Sequence, residues 1–424
     1  MKAWMLHNAN DIRFEQVEKP VINENEVLVK VRAAGICGSD ISRVYRDGAH
    51  VMPLIPGHEF AGEVVETSSE KDKSLVGKRV GVFPLIPCME CPACKNKRYE
   101  MCHEYSYLGS RTDGGFAEYV AVPRWNIIEL PDNVSYEAAA MLEPMAVAVH
   151  AINRMDIYKL TDKLRDDSMY NSSGNDLAGV SNTTALVIGL GTIGLLITMF
   201  LVEKGITDIF VVGNKENQKN IIEKMMKNIN ALESTELAES DDSVASVNYT
   251  DSKKRSVSRI IYCDASDDIA NVIKTNTNKT GADIVFECVG KSETINQAIS
   301  LAGDGSRVCT VGNPHSDIIL DRNAYWHILR KQIKLTGTWN SSFLGNEGNH
   351  GNDANDVKYV INGNNEAYWE KNEDDWRYVL KCLSDKSVKP EMIISHKLSL
   401  EELEQGLLIM RDKKEDYIKI MCIM

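Results

Sequence analysis

The sequence predicts an α/β protein: a mostly β domain first, then a doubly wound parallel sheet, then a segment that belongs to neither pattern of strands and helices in that sheet. Three observations carry this expectation. Up to about residue 130 the chain alternates short β-rich runs, such as residues 26–31 and 62–65, with Gly, Pro and Asn punctuation. From Thr183 onward strands alternate with helical stretches, the pattern of parallel strands joined by crossover helices. After about Gly337 that alternation stops. A chain of 424 residues also exceeds one ordinary core and suits two domains.

The elements follow in order. Ser135 opens a helical signal that runs from Glu137 to Ala151 and is rich in alanine. Residues 185–188 form a buried-strand run, followed by a Gly-rich turn and an apolar helix to about Glu203. Further strands are expected at residues 208–212, 283–287 and 307–311. Three segments, at residues 160–182, 226–258 and 345–372, are rich in Asn, Asp, Ser or Lys and poor in apolar periodicity. They are expected to be surface loops, because such stretches bury too little to offset the entropy of ordering them.

Composition narrows the function. A formal net charge of −13 leaves no basic field for nucleic acid, so none is expected as a partner. No apolar run has the length of a membrane span, and the start runs straight into polar residues, unlike a signal peptide. The expected location is therefore cytoplasmic, where thiols stay reduced. In such a compartment the spacing Cys88-x-x-Cys91-x-x-Cys94, followed after seven residues by Cys102, reads as a metal site. Four thiolates fill the tetrahedral shell of zinc and leave no open position, which makes the site structural.

A second metal site draws on separated residues. Cys37 lies at a glycine-flanked turn, and His58 and Glu59 follow Gly57. A thiolate, an imidazole and a carboxylate make a mixed set suited to a catalytic zinc with an exchangeable position. Glu143 lies in an apolar stretch, where a carboxylate must be either metal-bound or paired with a cation. Ser39, two residues after Cys37, can take the proton of a bound alcohol. Arg43, Arg46 and His50 are candidates for a substrate phosphate, since arginine suits bidentate phosphate contact. A merely solvated basic strip is the alternative.

Residues 185–194 give strand, then Gly189-x-Gly191-Thr192-Ile193-Gly194, then helix. This is the pattern that lets a pyrophosphate approach a helix N-terminus. The next strand ends in Gly213-Asn214-Lys215 with no acid to hold an adenine ribose. Glycine leaves room there and lysine can meet a 2′-phosphate, so NADP(H) is favoured. A solvated Lys215 would leave NAD(H) accepted as well.

Together with Gly57-His58-Glu59-Phe60-Ala61-Gly62 and Gly114-Gly115-Phe116-Ala117-Glu118-Tyr119, these motifs occur in an order that resembles the zinc-containing medium-chain dehydrogenase/reductase family. Leu142-Glu143-Pro144 resembles its polyol branch. The stretches 43–50, 109–115 and 329–331 with Gly337-Thr338-Trp339 resemble members that act on a polyol phosphate such as galactitol 1-phosphate. The resemblance implies a GroES-like catalytic domain over residues 1–155, completed by 339–424, and a Rossmann domain over 156–338. It implies two zinc ions per chain: one on Cys37, His58 and Glu59, with Glu143 bound directly or through water, and one on Cys88, Cys91, Cys94 and Cys102. It also implies cofactor contacts from Val289, Gly290, Val311 and Gly312, a small-molecule polyol or polyol-phosphate substrate, and a homodimer or homotetramer. Two departures stand out. Ser42 and Asn340 occupy positions where many relatives carry a proton-relay histidine and a substrate arginine. A free-polyol, ribitol-5-phosphate or threonine dehydrogenase, and a non-catalytic dinucleotide binder, remain as alternatives.

Overall fold

The computed structural model describes residues 1–157, 183–238, 258–346, 360–361, 367–368 and 374–424, with backbone alone for 230–238, 360–361 and 367–368. The chain divides into two compact units, Met1–His150 with Trp339–Met424, and Ala151–Thr338.

The first unit is built on a seven-stranded sheet. Its central strand, Glu26–Ile36, is rich in β-branched residues and buries Val27, Val29 and Val31, which suits a strand packed on its neighbours. It pairs antiparallel with Glu59–Thr67, Tyr119–Pro123 and the late strand Lys419–Ile423. The last pairing sets Ile420 opposite Ile36 and brings residue 419 beside the Cys37 turn. Phe60, Val64, Val80, Phe116, Leu403 and Leu407 belong to the core beneath.

The single helix expected from Ser135 onward is corrected to two. Ser135 caps Tyr136–Ala140, its hydroxyl accepting from the Ala138 N–H at 3.1 Å, and the helix stops at Met141. A second helix, Leu142–Asn153, begins at once. Pro144 has no N–H to give to Ala140 one turn earlier, so it fits only in the first turn of a new helix.

The second unit is a six-stranded sheet in the order Arg259–Asp264, Asp208–Gly213, Thr184–Ile188, Ala282–Glu287, Ala302–Thr310, Lys334–Gly337. Every neighbouring pair is parallel. Strand order reverses between Thr184–Ile188 and Ala282–Glu287, and ligands bind at such a switch point, beyond the carboxyl ends of the strands. The strand Arg259–Asp264 was not among those expected. It follows a polar stretch whose composition hides it.

The loop expected at residues 226–258 is also corrected at its start, because the helix Glu216–Ala238 runs through 226–238. Ile221, Ile222 and Met225 are buried at helical spacing, so an apolar stripe holds the first part of the helix despite its polar composition. Residues 239–257, all of 160–182 and most of 345–372 lie outside the described residues. Within the last, Val360–Ile361 and Ala367–Tyr368 pair antiparallel. Among the described residues no helix is long and apolar enough to cross a membrane.

Candidate active site

In the first unit, Cys37, His58 and Glu59 offer a sulfur, a ring nitrogen and a carboxylate oxygen that all lie within 4.8 Å of one another. Cys37 ends the central strand and stands at the N-cap of the short helix Gly38–Ser42, while His58 and Glu59 lead into the antiparallel partner strand. The sheet pairing thus joins two motifs that lie about 20 residues apart in the chain. His58 and Glu59 are buried and Cys37 is partly exposed. This leaves one side of the cluster open, as an exchangeable metal position requires.

Three neighbours complete the cluster. Asp40 is wholly buried, accepts from the Cys37 N–H at 2.9 Å, and lies 3.4 Å from Nδ1 of His58. That last separation suits ion pairing, although the ring nitrogen makes no hydrogen bond of good geometry. With Nδ1 turned to Asp40, Nε2 is the nitrogen left for an ion, the arrangement by which a carboxylate orients a metal-bound imidazole. Burial disfavours the charged imidazole, but Asp40 and then Cys37 outweigh it and hold His58 well above the usual range. An acidic surround of this kind favours a cation.

Lys419 is the second neighbour. Its ammonium is 2% exposed, donates to Glu59 Oε2, and donates to the Ile36 carbonyl at 3.0 Å. Burial alone would lower its pKa, yet Glu59 raises it, so the lysine stays charged. Gly35 makes room for the pair, since a Cβ there would stand 2.8 Å from Cε of Lys419. The third neighbour, Tyr107, donates to Glu143 Oε1 at 3.4 Å, and its ring lies 5.9 Å from that of His58. Burial pushes the Glu143 carboxyl up to about 7, with His58 drawing it down and Glu59 pushing it up. Among the described residues Glu143 pairs with no arginine, and its charged neighbours are His58, Glu59 and Lys419.

Asp40, Lys419 and Tyr107 were not expected at this site from the sequence. A signal existed for Lys419: a lone cation in the apolar run Ile418 to Ile423 demands a buried partner, by the reasoning that marked Glu143.

Ser39 is partly exposed in the first turn after Cys37. The proposed phosphate residues divide. Arg43 donates to the buried Asp40 at 2.6 Å, Arg46 is exposed and donates to the Ser42 hydroxyl, and His50 is exposed. Arg43 therefore already serves a carboxylate.

Cys88, Cys91, Cys94 and Cys102 converge separately, their sulfurs within 4.8 Å of one another. Sγ separations are 3.9 Å for Cys88–Cys94, 3.5 Å for Cys91–Cys94 and 3.9 Å for Cys91–Cys102. Zinc–sulfur bonds of about 2.3 Å at tetrahedral angles set neighbouring sulfurs about 3.8 Å apart. The quartet fits that ion, and the spacing is too long for a disulfide.

In the second unit, Gly189 has φ +94° and Gly191 is the N-cap of the helix Thr192–Glu203. A Cβ at Gly194 would strike the Gly189 carbonyl, whereas one at Gly191 would meet nothing within 4 Å. The first contact is close strand–helix packing, and the second is the clear approach a pyrophosphate needs. Thr192 and Ile193 follow in the helix's first turn. Gly213 ends its strand under Gln218, where a Cβ would come 2.7 Å from the amide oxygen, and the Asn214 N–H donates to that oxygen at 3.1 Å. Lys215 is partly exposed just beyond. Val289 with Gly290, and Val311 with Gly312, follow the two strands on the other side of the switch point.

Two family models match the chain: alcohol dehydrogenase GroES-like domain over residues 23–132, and zinc-binding dehydrogenase over residues 253–349. Galactitol 1-phosphate 5-dehydrogenase of Escherichia coli (strain K12) is 26% identical over 393 residues, covering 93% of this chain and 91% of its own. Sorbitol dehydrogenase of Bacillus subtilis (strain 168) is 31% identical over 324 residues, covering 75% of this chain and 77% of its own. The crystal structure of galactitol-1-phosphate dehydrogenase from Escherichia coli superposes with a TM-score of 0.73 at 24% identity, covering 100% of both chains, a likeness of fold.

Proposed function

This chain belongs to the zinc-containing medium-chain dehydrogenase/reductase family as an NAD(P)-linked alcohol dehydrogenase, and we propose that it oxidises a secondary hydroxyl of a polyol phosphate such as galactitol 1-phosphate, with NADP(H) preferred. The observation that carries the reading is the cluster of Cys37, His58 and Glu59, with Glu143 as a further buried carboxyl group beside it. Similarity along 93% of the chain to a polyol-phosphate dehydrogenase supports the substrate class, and the exposed Arg46 and His50 offer a phosphate a guanidinium and an imidazole N–H.

Cys37, His58 through Nε2, and Glu59 would hold the catalytic zinc, with Glu143 directly or through water, and Cys88, Cys91, Cys94 and Cys102 would hold the second. A bound zinc supplies a Lewis acid that lowers the pKa of an alcohol oxygen, and a bound nicotinamide supplies the hydride acceptor. Asp40 faces Nδ1 of His58 and so leaves Nε2 for the metal, and Lys419 holds one oxygen of Glu59 so that the other is free to serve as ligand. Ser39 takes the alcohol proton. Ser42, where relatives place a histidine, already accepts from Arg46, so Ser39 is the hydroxyl left to pass the proton on. The turn Gly189–Gly194 would receive the pyrophosphate, Gly213, Asn214 and Lys215 the adenine ribose with its phosphate, and Val289, Gly290, Val311 and Gly312 the nicotinamide half. We further propose a homodimer or homotetramer, which light scattering after size-exclusion chromatography would read.

A free-polyol substrate is the second reading. Arg43 is held by Asp40 rather than left for a phosphate, and the sorbitol enzyme has the higher identity. Steady-state kinetics with galactitol 1-phosphate, ribitol 5-phosphate, sorbitol and threonine, each with NAD and NADP, separates the two. The highest kcat/KM on a phosphorylated polyol is expected. A higher value on sorbitol overturns the phosphate assignment, and a tenfold preference for NAD overturns the cofactor assignment.

A further inference from the structure

Glu287 ends the strand Ala282–Glu287 at the switch point of the parallel sheet and has no exposed surface. Its main-chain oxygen accepts from the N–H of Val311 at 2.8 Å and of Gly312 at 2.9 Å. Its side-chain Oε1 accepts from the N–H of Val289 at 2.8 Å, the N–H of Gly290 at 2.9 Å and the Thr294 hydroxyl at 2.8 Å. Oε2 is equally buried and has no partner. Neither oxygen meets a cation among the described residues.

A buried carboxylate without a counter-charge opposes folding, and an apolar side chain would fill a strand end more favourably. What the carboxylate holds accounts for its presence. Residues 289–290 follow one strand and 311–312 follow its parallel neighbour; the Glu287 carboxylate is bonded to the first segment and to Thr294, and its main-chain carbonyl, which any residue there would supply, is bonded to the second. The two segments lie backbone against backbone: a Cβ at Gly290, where φ is +79°, would stand 2.6 Å from the Asn313 carbonyl oxygen. With side chains at that contact the segments would be pushed apart.

We propose that the Glu287 side chain is a positioning group that fixes residues 289–290 where they pack against residues 312–313, so that the two segments form one platform for the nicotinamide half of the cofactor. The inference rests on the reading of Val289, Gly290, Val311 and Gly312 as cofactor contacts. Glu287 itself touches no reacting atom.

The test uses the full-length, zinc-loaded protein and the variants Glu287→Ala, Glu287→Gln and Thr294→Ala. Binding of NADPH and NADH is read from nucleotide fluorescence, and binding of ADP-ribose, which lacks the nicotinamide, by calorimetry. Glu287→Ala is expected to weaken reduced-cofactor binding about tenfold or more, and Thr294→Ala a few-fold, about the effect of one hydrogen bond. Glu287→Gln, which keeps an acceptor at Oε1, should recover most of the loss. ADP-ribose affinity, zinc content and KM for the alcohol should hardly move. Parental affinity for NADPH and NADH in both Glu287→Ala and Thr294→Ala overturns the proposal, as does an equal loss for ADP-ribose. If Glu287→Ala does not fold, parental affinity in Thr294→Ala decides against it. A parent protein that binds ADP-ribose but neither reduced cofactor would refute the cofactor reading instead.

Discussion

Replacing Lys419 by methionine keeps the length of the side chain and removes its charge. Lys419 and Glu59 are each 2% exposed, so water cannot stand in for the lost ammonium. In zinc-depleted protein the substitution leaves Glu59 as a buried, unpaired carboxylate, and removing one partner of a buried pair costs about 3–5 kcal/mol. With zinc bound, the metal neutralises Glu59, and the loss reduces to the ammonium's hydrogen bonds, about 1–3 kcal/mol for bonds to a charged group. The difference is about 2 kcal/mol. By linkage it must reappear as tighter zinc binding at the Cys37 site in the variant, about 30-fold. The assay compares urea midpoints of the parent and Lys419→Met, each zinc-loaded and zinc-depleted, and measures zinc affinity by competition with a chromogenic chelator. Equal destabilisation in both metal states, with unchanged competition, would refute the view that Lys419 is the counter-charge of Glu59.

Three further outcomes are expected. Cys94→Ser should lower the metal content measured by mass spectrometry from two zinc ions per chain to one and expose residues 88–102 to limited proteolysis, because a structural zinc holds its own loop folded; retention of two ions argues against the second site. Burial raises the Glu143 carboxyl from 4.5 to about 7, so between these values the folded, zinc-depleted protein keeps a proton that the unfolded chain releases, and stability falls as pH rises. Glu143→Gln should flatten the dependence of the urea midpoint on pH across that window, and an unchanged slope would contradict the assignment. Arg46→Ala should raise KM for galactitol 1-phosphate about tenfold while leaving KM for sorbitol within about twofold; Arg43→Ala is a poorer test because Arg43 also braces Asp40.

The proposed metal ligands were legible because they are close in sequence or flanked by glycine. The four cysteines fall within 15 positions, so spacing alone fixes a short loop, and Cys37 and His58 differ from the apolar strands around them. The turn at Gly189, Gly191 and Gly194 was legible for a similar reason: its glycines follow a strand and open a helix. Asp40 was not, because an acid three residues past a turn reads as an ordinary helix cap. Lys419 was not, because its partner lies 360 positions away and only the sheet pairing brings the two together. The helix Glu216–Ala238 was misread from residue 226 on, where polar composition reads as a loop, while the buried stripe of Ile221, Ile222 and Met225 that holds it lies in its first part.

The distance between Glu59 and Lys419 along the chain also orders events during synthesis. A ribosome adding about 5–20 residues per second reaches Lys419 on the order of 20–70 s after Glu59 has been made. Throughout that interval the nascent chain carries a thiol, an imidazole and a carboxylate while the ammonium that balances them does not yet exist. The parallel-sheet unit, encoded between them, emerges entire during the same wait. Final assembly of the acidic cluster therefore waits until residue 419 has been made, and a ribosome that stalls after residue 338 leaves a finished parallel-sheet unit and a cluster of Cys37, His58 and Glu59 that still lacks its counter-charge.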